Sequence, residues 1–369
     1  MSKKNARWRK LDNAAKLYSA ASNKKDTRVF RFYCELKEEV NPKALQEALN
    51  QTIETFPTFL MVLRKGFFWH YLEPCNLRPI VKEEYKEPCS RLYIRDKKTL
   101  LFEVTYYKKR INFEVFHVLT DGTGATEFLK ELVKDYLYLV HKEGLEQITL
   151  LPEDMTVQDQ EDDSFLKYYS KNQKRPKKRK LNAFQIRRKK KDGNHLHVHE
   201  SVVSVQAVLK RSRELGVSMT IFLTALFMMA INEEMSKMQK KKPVVLMVPV
   251  NLRKFFPSTS MLNFFNWIEP GYNFTTQDQS FEVVLQYTKE FFETELTKEK
   301  MSAHISELLA LELHPILRLA PLELKNLCIQ AGAKYSEKNT TAIFSNMSAV
   351  KMPASYVPYI ERFGVYTNT

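Results

Sequence analysis

The sequence has little cysteine chemistry to offer. Its four cysteines, Cys34, Cys75, Cys89 and Cys328, show no CxxC or other metal-ligand spacing, which supports neither a disulfide framework nor a zinc site. The amino-terminal MSKKNARWRKLDNAAKLY carries basic residues but lacks the apolar core of a signal peptide. The longest apolar run, IFLTALFMMAI at 221–231, is too short to cross a bilayer of about 30 Å as a helix. Acidic residues are missing from one window: KNQKRPKKRKLNAFQIRRKKK (171–191) holds 12 Lys and Arg and no Asp or Glu. The formal net charge of +15 less these 12 leaves +3, so the rest of the chain is nearly neutral. Phe184 is the sole aromatic inside the run, whereas a nucleic-acid-binding face interleaves basic and aromatic residues. The expectation is a cytoplasmic protein without a nucleic-acid partner. The run 171–191 reads as a solvated linker, with weak attraction to an anionic membrane surface as a second reading.

What is present suits two cores. A chain of 369 residues is long for one hydrophobic core and comfortable for two. The pattern divides it into an amino-terminal half (1–160), a charged crossover (161–194) and a carboxy-terminal half (195–369). In the first half, Asn41-Pro42 can open a helix whose stripe is Leu45, Leu49 and Ile53. TFLMVLRKGFFWHYL (58–72) reads as strands turning at Lys65-Gly66, and TLLFEVTYY with INFEVFH as a hairpin around a charged KKR. In the second half, HLHVHESVVSV (195–205) alternates like a strand. VQAVLKRSREL reads as a helix stopping at Gly216, VSMTIFLTALFMMAINEEMSKM (217–238) as a mostly buried helix, and PVVLMVPVNL (243–252) as a buried strand. A helical region over about 280–332 and a strand over TAIFSNMSAV (341–350) complete it. The histidines at 195, 197 and 199 share one side of the predicted strand, but no carboxylate or Cys cluster supports a metal there.

The stretch FEVFHVLTDGTGATEFLKEL (113–132) carries the chemistry. An aromatic strand ends at His117, a turn follows at Asp121-Gly122, and a helical pattern begins. Imidazole is the side chain that accepts and returns a proton near neutrality, and a strand end before a tight turn aims it rigidly. Asp121 can fix the loop and the ring, while Gly122 frees the backbone to turn. The bland alternative is a loop histidine beside an ordinary hairpin exit.

His117-Val-Leu-Thr-Asp121-Gly122 resembles the HxxxDG signature of the CoA-dependent acyltransferase superfamily. That group includes alcohol acetyltransferases, wax-ester and polyketide-associated acyltransferases, and peptide-synthetase condensation domains. WRKLDNAAKLY near the start, VPVNLRKFFPSTSMLNFFNW (248–267) and FSNMSAVKMP (344–353) are similar, in the same order, to segments of bacterial alcohol acetyltransferase-like proteins. The resemblance implies an α+β fold of two chloramphenicol-acetyltransferase-like halves, each a mixed sheet flanked by helices, with a tunnel between them. It implies an acyl-CoA co-substrate, acetyl-CoA first, a small alcohol acceptor, and no tightly bound cofactor or metal. His117 becomes the general base for direct attack. Asp121 becomes chiefly structural and paired with an arginine, for which Arg253 in Asn251-Leu252-Arg253 is the candidate. Ser345 and Asn346 are weak candidates for oxyanion stabilisation. No DFGWG-like motif is present, which points away from the plant branch, and the chain stops at Thr369, where the family implies further strand and helix. Two other functions stay open: an inactive binding protein of this fold, and a condensation-type amide-forming enzyme.

Overall fold

The computed structural model describes residues 8–23, 26–95, 97–152, 155–171, 182–186 and 196–367. Most of the basic run 171–191 therefore lies outside the described residues, as does His195.

The chain opens with β1 (Arg9–Lys10) and α1 (Asn13–Ala21), the helix capped by the Asp12 carboxylate accepting the Ala15 N–H. Next come β2 (Val29–Leu36) and α2 (Pro42–Thr55); Asn41 caps α2 and Pro42 occupies its first turn, as the sequence predicts. The predicted turn at Lys65-Gly66 separates β3 (Met61–Lys65) from β4 (His70–Pro74). A short β5 (Lys82–Glu83) precedes the predicted hairpin of β6 (Phe102–Tyr107) and β7 (Arg110–Phe116), after which α3 (Gly122–Val140) runs back over the sheet. Two short helices, α4 (Val157–Gln160) and α5 (Ser164–Lys167), lead toward the second half.

That half holds α6 (Val205–Glu214), α7 (Met219–Glu233), β8 (Val244–Asn251), β9 (Phe265–Ile268) and β10 (Gly271–Tyr272). Gly216 takes φ +66° just after α6, the left-handed ending that glycine adopts without a steric cost. There follow α8 (Phe281–Glu295), α9 (Lys298–Leu313), α10 (Pro315–Leu319), α11 (Leu322–Glu337), β11 (Ala342–Ile343) and β12 (Ile360–Thr367). Among the described residues no single helix is long and apolar enough to cross a membrane.

A five-stranded sheet in the order β12-β2-β7-β6-β5 forms the first half, and β1-β4-β3 a smaller sheet beside it. In the second half β8 is central, antiparallel to β9 and β10 and parallel to β11. These are mixed sheets flanked by helices, the α+β arrangement expected. The two halves bury separate cores, one around Phe59, Phe113 and Phe128, the other around Val248, Phe264 and Val284. Phe113 on β7 and Phe128 on α3 stack with ring centroids 4.4 Å apart. Truncating such a buried aromatic costs about 3–5 kcal/mol, so this contact fixes α3 on β7 and thereby the turn between them.

Two sequence expectations fail. Residues 196–204 form no strand: all but Leu196 are exposed, so the alternation has no second layer to bury a face against. The segment is instead held by Glu200, which accepts the Tyr33 and Tyr366 hydroxyls at 2.8 Å each. The strand expected over 341–350 is only β11, because the chain leaves the sheet after Phe344 N–H donates to the Met247 carbonyl. β12 pairs antiparallel with β2, carrying 360–367 into the first half's sheet.

Candidate active site

His117 stands at the first residue past β7, and its backbone N–H donates to the Arg28 carbonyl at 2.9 Å. Arg28 adopts φ +54°, a strained conformation beside this contact. The imidazole is partly buried among rings. Tyr18 of α1 stacks on it at 4.3 Å between centroids, Phe30 of β2 meets it edge-on at 4.8 Å, and Phe265 of β9 lies at 5.6 Å. Nδ1 is 2.9 Å from Oδ1 of Asn263. Among the described residues Nε2 makes no hydrogen bond. Burial holds the His117 pKa below its ordinary 6.5, outweighing the Asp121 charge and the hydrogen bonds to Asn263 and to its own carbonyl that favour the protonated ring. The ring is therefore neutral at pH 7.

Asp121 does not touch the ring; it ties the turn to the other half. One carboxylate oxygen caps α3 by accepting the Thr123 and Gly124 N–H groups at 3.0 and 3.2 Å. The other accepts from Arg253 Nη1 at 2.7 Å and from the Phe264 N–H at 2.9 Å. Arg253, just past β8, donates Nη2 to the carbonyls of Ser260 and Leu262 at 2.7 Å each. Thr120 donates its hydroxyl to the Met261 carbonyl at 2.6 Å, and Asn251 donates to Thr123 Oγ1 at 3.2 Å. The loop 258–264 is thus laced to the 117–124 turn from several points.

Of the residues singled out in the sequence, His117, Asp121 and Arg253 converge here. Gly122 begins α3 with the Met347 side chain packed over it, its Cε 2.8 Å from where a Cβ would stand. Ser345 and Asn346 are exposed beside Met347; Asn346 donates to Thr220 Oγ1 at 2.9 Å, and neither residue hydrogen-bonds to His117. The sequence reading missed Asn263, which touches the imidazole directly, Asp12, which Asn263 contacts, and Tyr18. One signal was available: a lone amide between Leu262 and Phe264, in apolar surroundings where a polar side chain needs buried partners. His197 and His199 are exposed, and no group of metal-ligating side chains occurs among the described residues.

The profile of the alcohol acetyltransferase family matches residues 79–347, well over half of the chain and spanning His117 to Asn346. This chain belongs to the alcohol acetyltransferase family. No curated protein matches it. In fold this family member is similar to TRI101 of F. graminearum, solved with coenzyme A and deoxynivalenol, at TM-score 0.61 and 12% identity over 98% of this chain and 89% of that one. It is also similar to polyketide synthase associated protein 5 from Mycobacterium tuberculosis, at TM-score 0.58 and 13% identity over 97% and 86%. The first condensation domain of the calcium-dependent antibiotic synthetase gives TM-score 0.55 and 14% identity over 83% and 78%. This chain thus has the fold of the CoA-dependent acyltransferase superfamily.

Proposed function

We propose that this alcohol acetyltransferase moves an acyl group, acetyl first among candidates, from acyl-CoA to an alcohol hydroxyl, with His117 as general base. The observation that carries the proposal is the neutral, ring-packed imidazole at the end of β7 whose Nε2 makes no hydrogen bond among the described residues. Coenzyme A bound to TRI101 supports a CoA thioester as donor, and deoxynivalenol in the same complex supports a hydroxylated small molecule as acceptor.

The chemistry follows from one lone pair. Nε2 takes the hydroxyl proton as the oxygen attacks the thioester carbonyl carbon, forming a C–O bond and a tetrahedral oxyanion. Collapse re-forms the carbonyl, breaks the C–S bond and expels the CoA thiolate, which receives the proton back from Nε2–H. No acyl-enzyme forms, and such a base contributes about 10²–10⁴-fold. The expected route of both substrates to Nε2 is the tunnel between the halves that the family resemblance implies. Asp121 and Arg253 act by holding the turn that aims the ring.

The test is product analysis with acetyl-CoA and matched panels of alcohols and amines. Ester formation that His117→Ala lowers by roughly 10²-fold or more is the expected result. Amide formation alone favours condensation-type chemistry, and no acyl transfer to any acceptor contradicts the proposal.

A further inference from the structure

Asn263 is almost wholly buried at 1% exposure, and its side chain makes three hydrogen bonds to two neighbours. Its Nδ2 lies 3.0 Å from Asp12 Oδ2 and 3.1 Å from the His117 carbonyl oxygen, while its Oδ1 lies 2.9 Å from His117 Nδ1. The two ends of an amide are otherwise interchangeable by rotation, but here they are not. Turning the group over would set its oxygen against the His117 carbonyl, which has no proton to give, and against a carboxylate. The amide oxygen therefore faces Nδ1. An oxygen of this kind only accepts, so Nδ1 carries the proton and the lone pair is left on Nε2.

We infer that Asn263 is a positioning residue, its amide clamped between Asp12 and the His117 carbonyl so as to impose the Nδ1–H tautomer on His117. The inference rests on the base role given to His117 above, since only that tautomer presents a lone pair at Nε2. Asp12 is the anchor of the clamp. Its other oxygen caps α1 by accepting the Ala15 N–H at 2.8 Å, and α1 also supplies Tyr18, which stacks on the same ring. The charged groups facing this chain are Asp121 and Arg28 toward His117, and Arg9, Lys16 and Asp163 toward Asp12. The amino-terminal helix and the 258–264 loop, far apart in sequence, thus jointly decide which imidazole nitrogen is free.

The tautomer can be read without substrate, by nitrogen-15 correlation spectroscopy of histidine-labelled protein at pH 8, with His117→Ala for assignment. Wild type should show His117 protonated at Nδ1 and bare at Nε2. Asn263→Leu removes the amide acceptor, leaving the ring only its own carbonyl, and should give a clear population of the Nε2–H form, with kcat lower by roughly 10²-fold or more and KM for acetyl-CoA within about twofold. Asp12→Asn keeps a good helix cap but sets an amide against the Asn263 amide, and should shift the tautomer in the same direction; it decides the matter if Asn263→Leu does not fold. An unchanged Nδ1–H ring in the folded variant overturns the inference. A shifted tautomer with undiminished turnover contradicts the base role of His117 instead, and leaves the positioning intact.

Discussion

A buried ion pair tells the most when one partner is removed. Asp121→Ala would leave Arg253, at 11% side-chain exposure, with an uncompensated charge and three carbonyls around it. A loss of about 3–5 kcal/mol in urea unfolding is expected. Titration acts in two opposing senses. His117 has a lowered pKa, so as pH falls below 6.5 the unfolded chain takes the proton first, and the stability present above that pH is lost. Asp12 is pushed from 3.8 up to about 7 by burial, so its contribution is fully present below 3.8 and lost as pH rises toward about 7. Asp12→Asn should therefore flatten the fall of the urea midpoint with rising pH across that interval. For the rate, the lowered His117 pKa predicts that kcat/KM rises with pH through an inflection below 6.5, and a kcat/KM that falls with pH through that range would contradict a desolvated neutral base. At this scale the spacing HxxxDG made His117 and Asp121 legible, and the resemblance supplied Arg253. Asn263 was hidden because its partners stand 146 and 251 residues away in sequence.

Local rules explain the elements around the site. The hairpin of β6 and β7, the Asp121 cap and the helix α3 follow from alternation, turn chemistry and helical spacing in one continuous stretch, so the sequence contained them. Residues 196–204 alternate just as well but have no layer to face, and alternation without burial does not make a strand. Gly124 shows how closely the elements approach: a Cβ there would stand 2.2 Å from Thr120 Oγ1 and 2.6 Å from the Met261 carbonyl oxygen. That carbonyl belongs to the backbone of the loop carrying Asn263 and cannot swing aside as a side chain tip would. Gly124→Ala should push the loop off α3 and reduce kcat by at least tenfold, a larger effect than its cost in melting temperature; full activity would show that the loop does not position the ring.

The whole molecule is held by crossings between its halves. β12 completes the sheet of β2, Asp121 and Arg253 span the two cores, and Met261 from the second half packs within the first core. Long-range pairings of this kind leave no local trace in sequence. A single cooperative transition is expected in urea, with helix content and tryptophan emission changing together, since Trp69 lies in the first half and Trp267 in the second. The central claim is that one neutral imidazole held between these halves deprotonates an alcohol. It is tested most directly by the initial rate of CoA thiol release from acetyl-CoA with a reactive alcohol, for wild type and for His117→Ala with matched circular dichroism. The account predicts turnover in the first and a loss of roughly 10²-fold or more in the second; equal rates would contradict it.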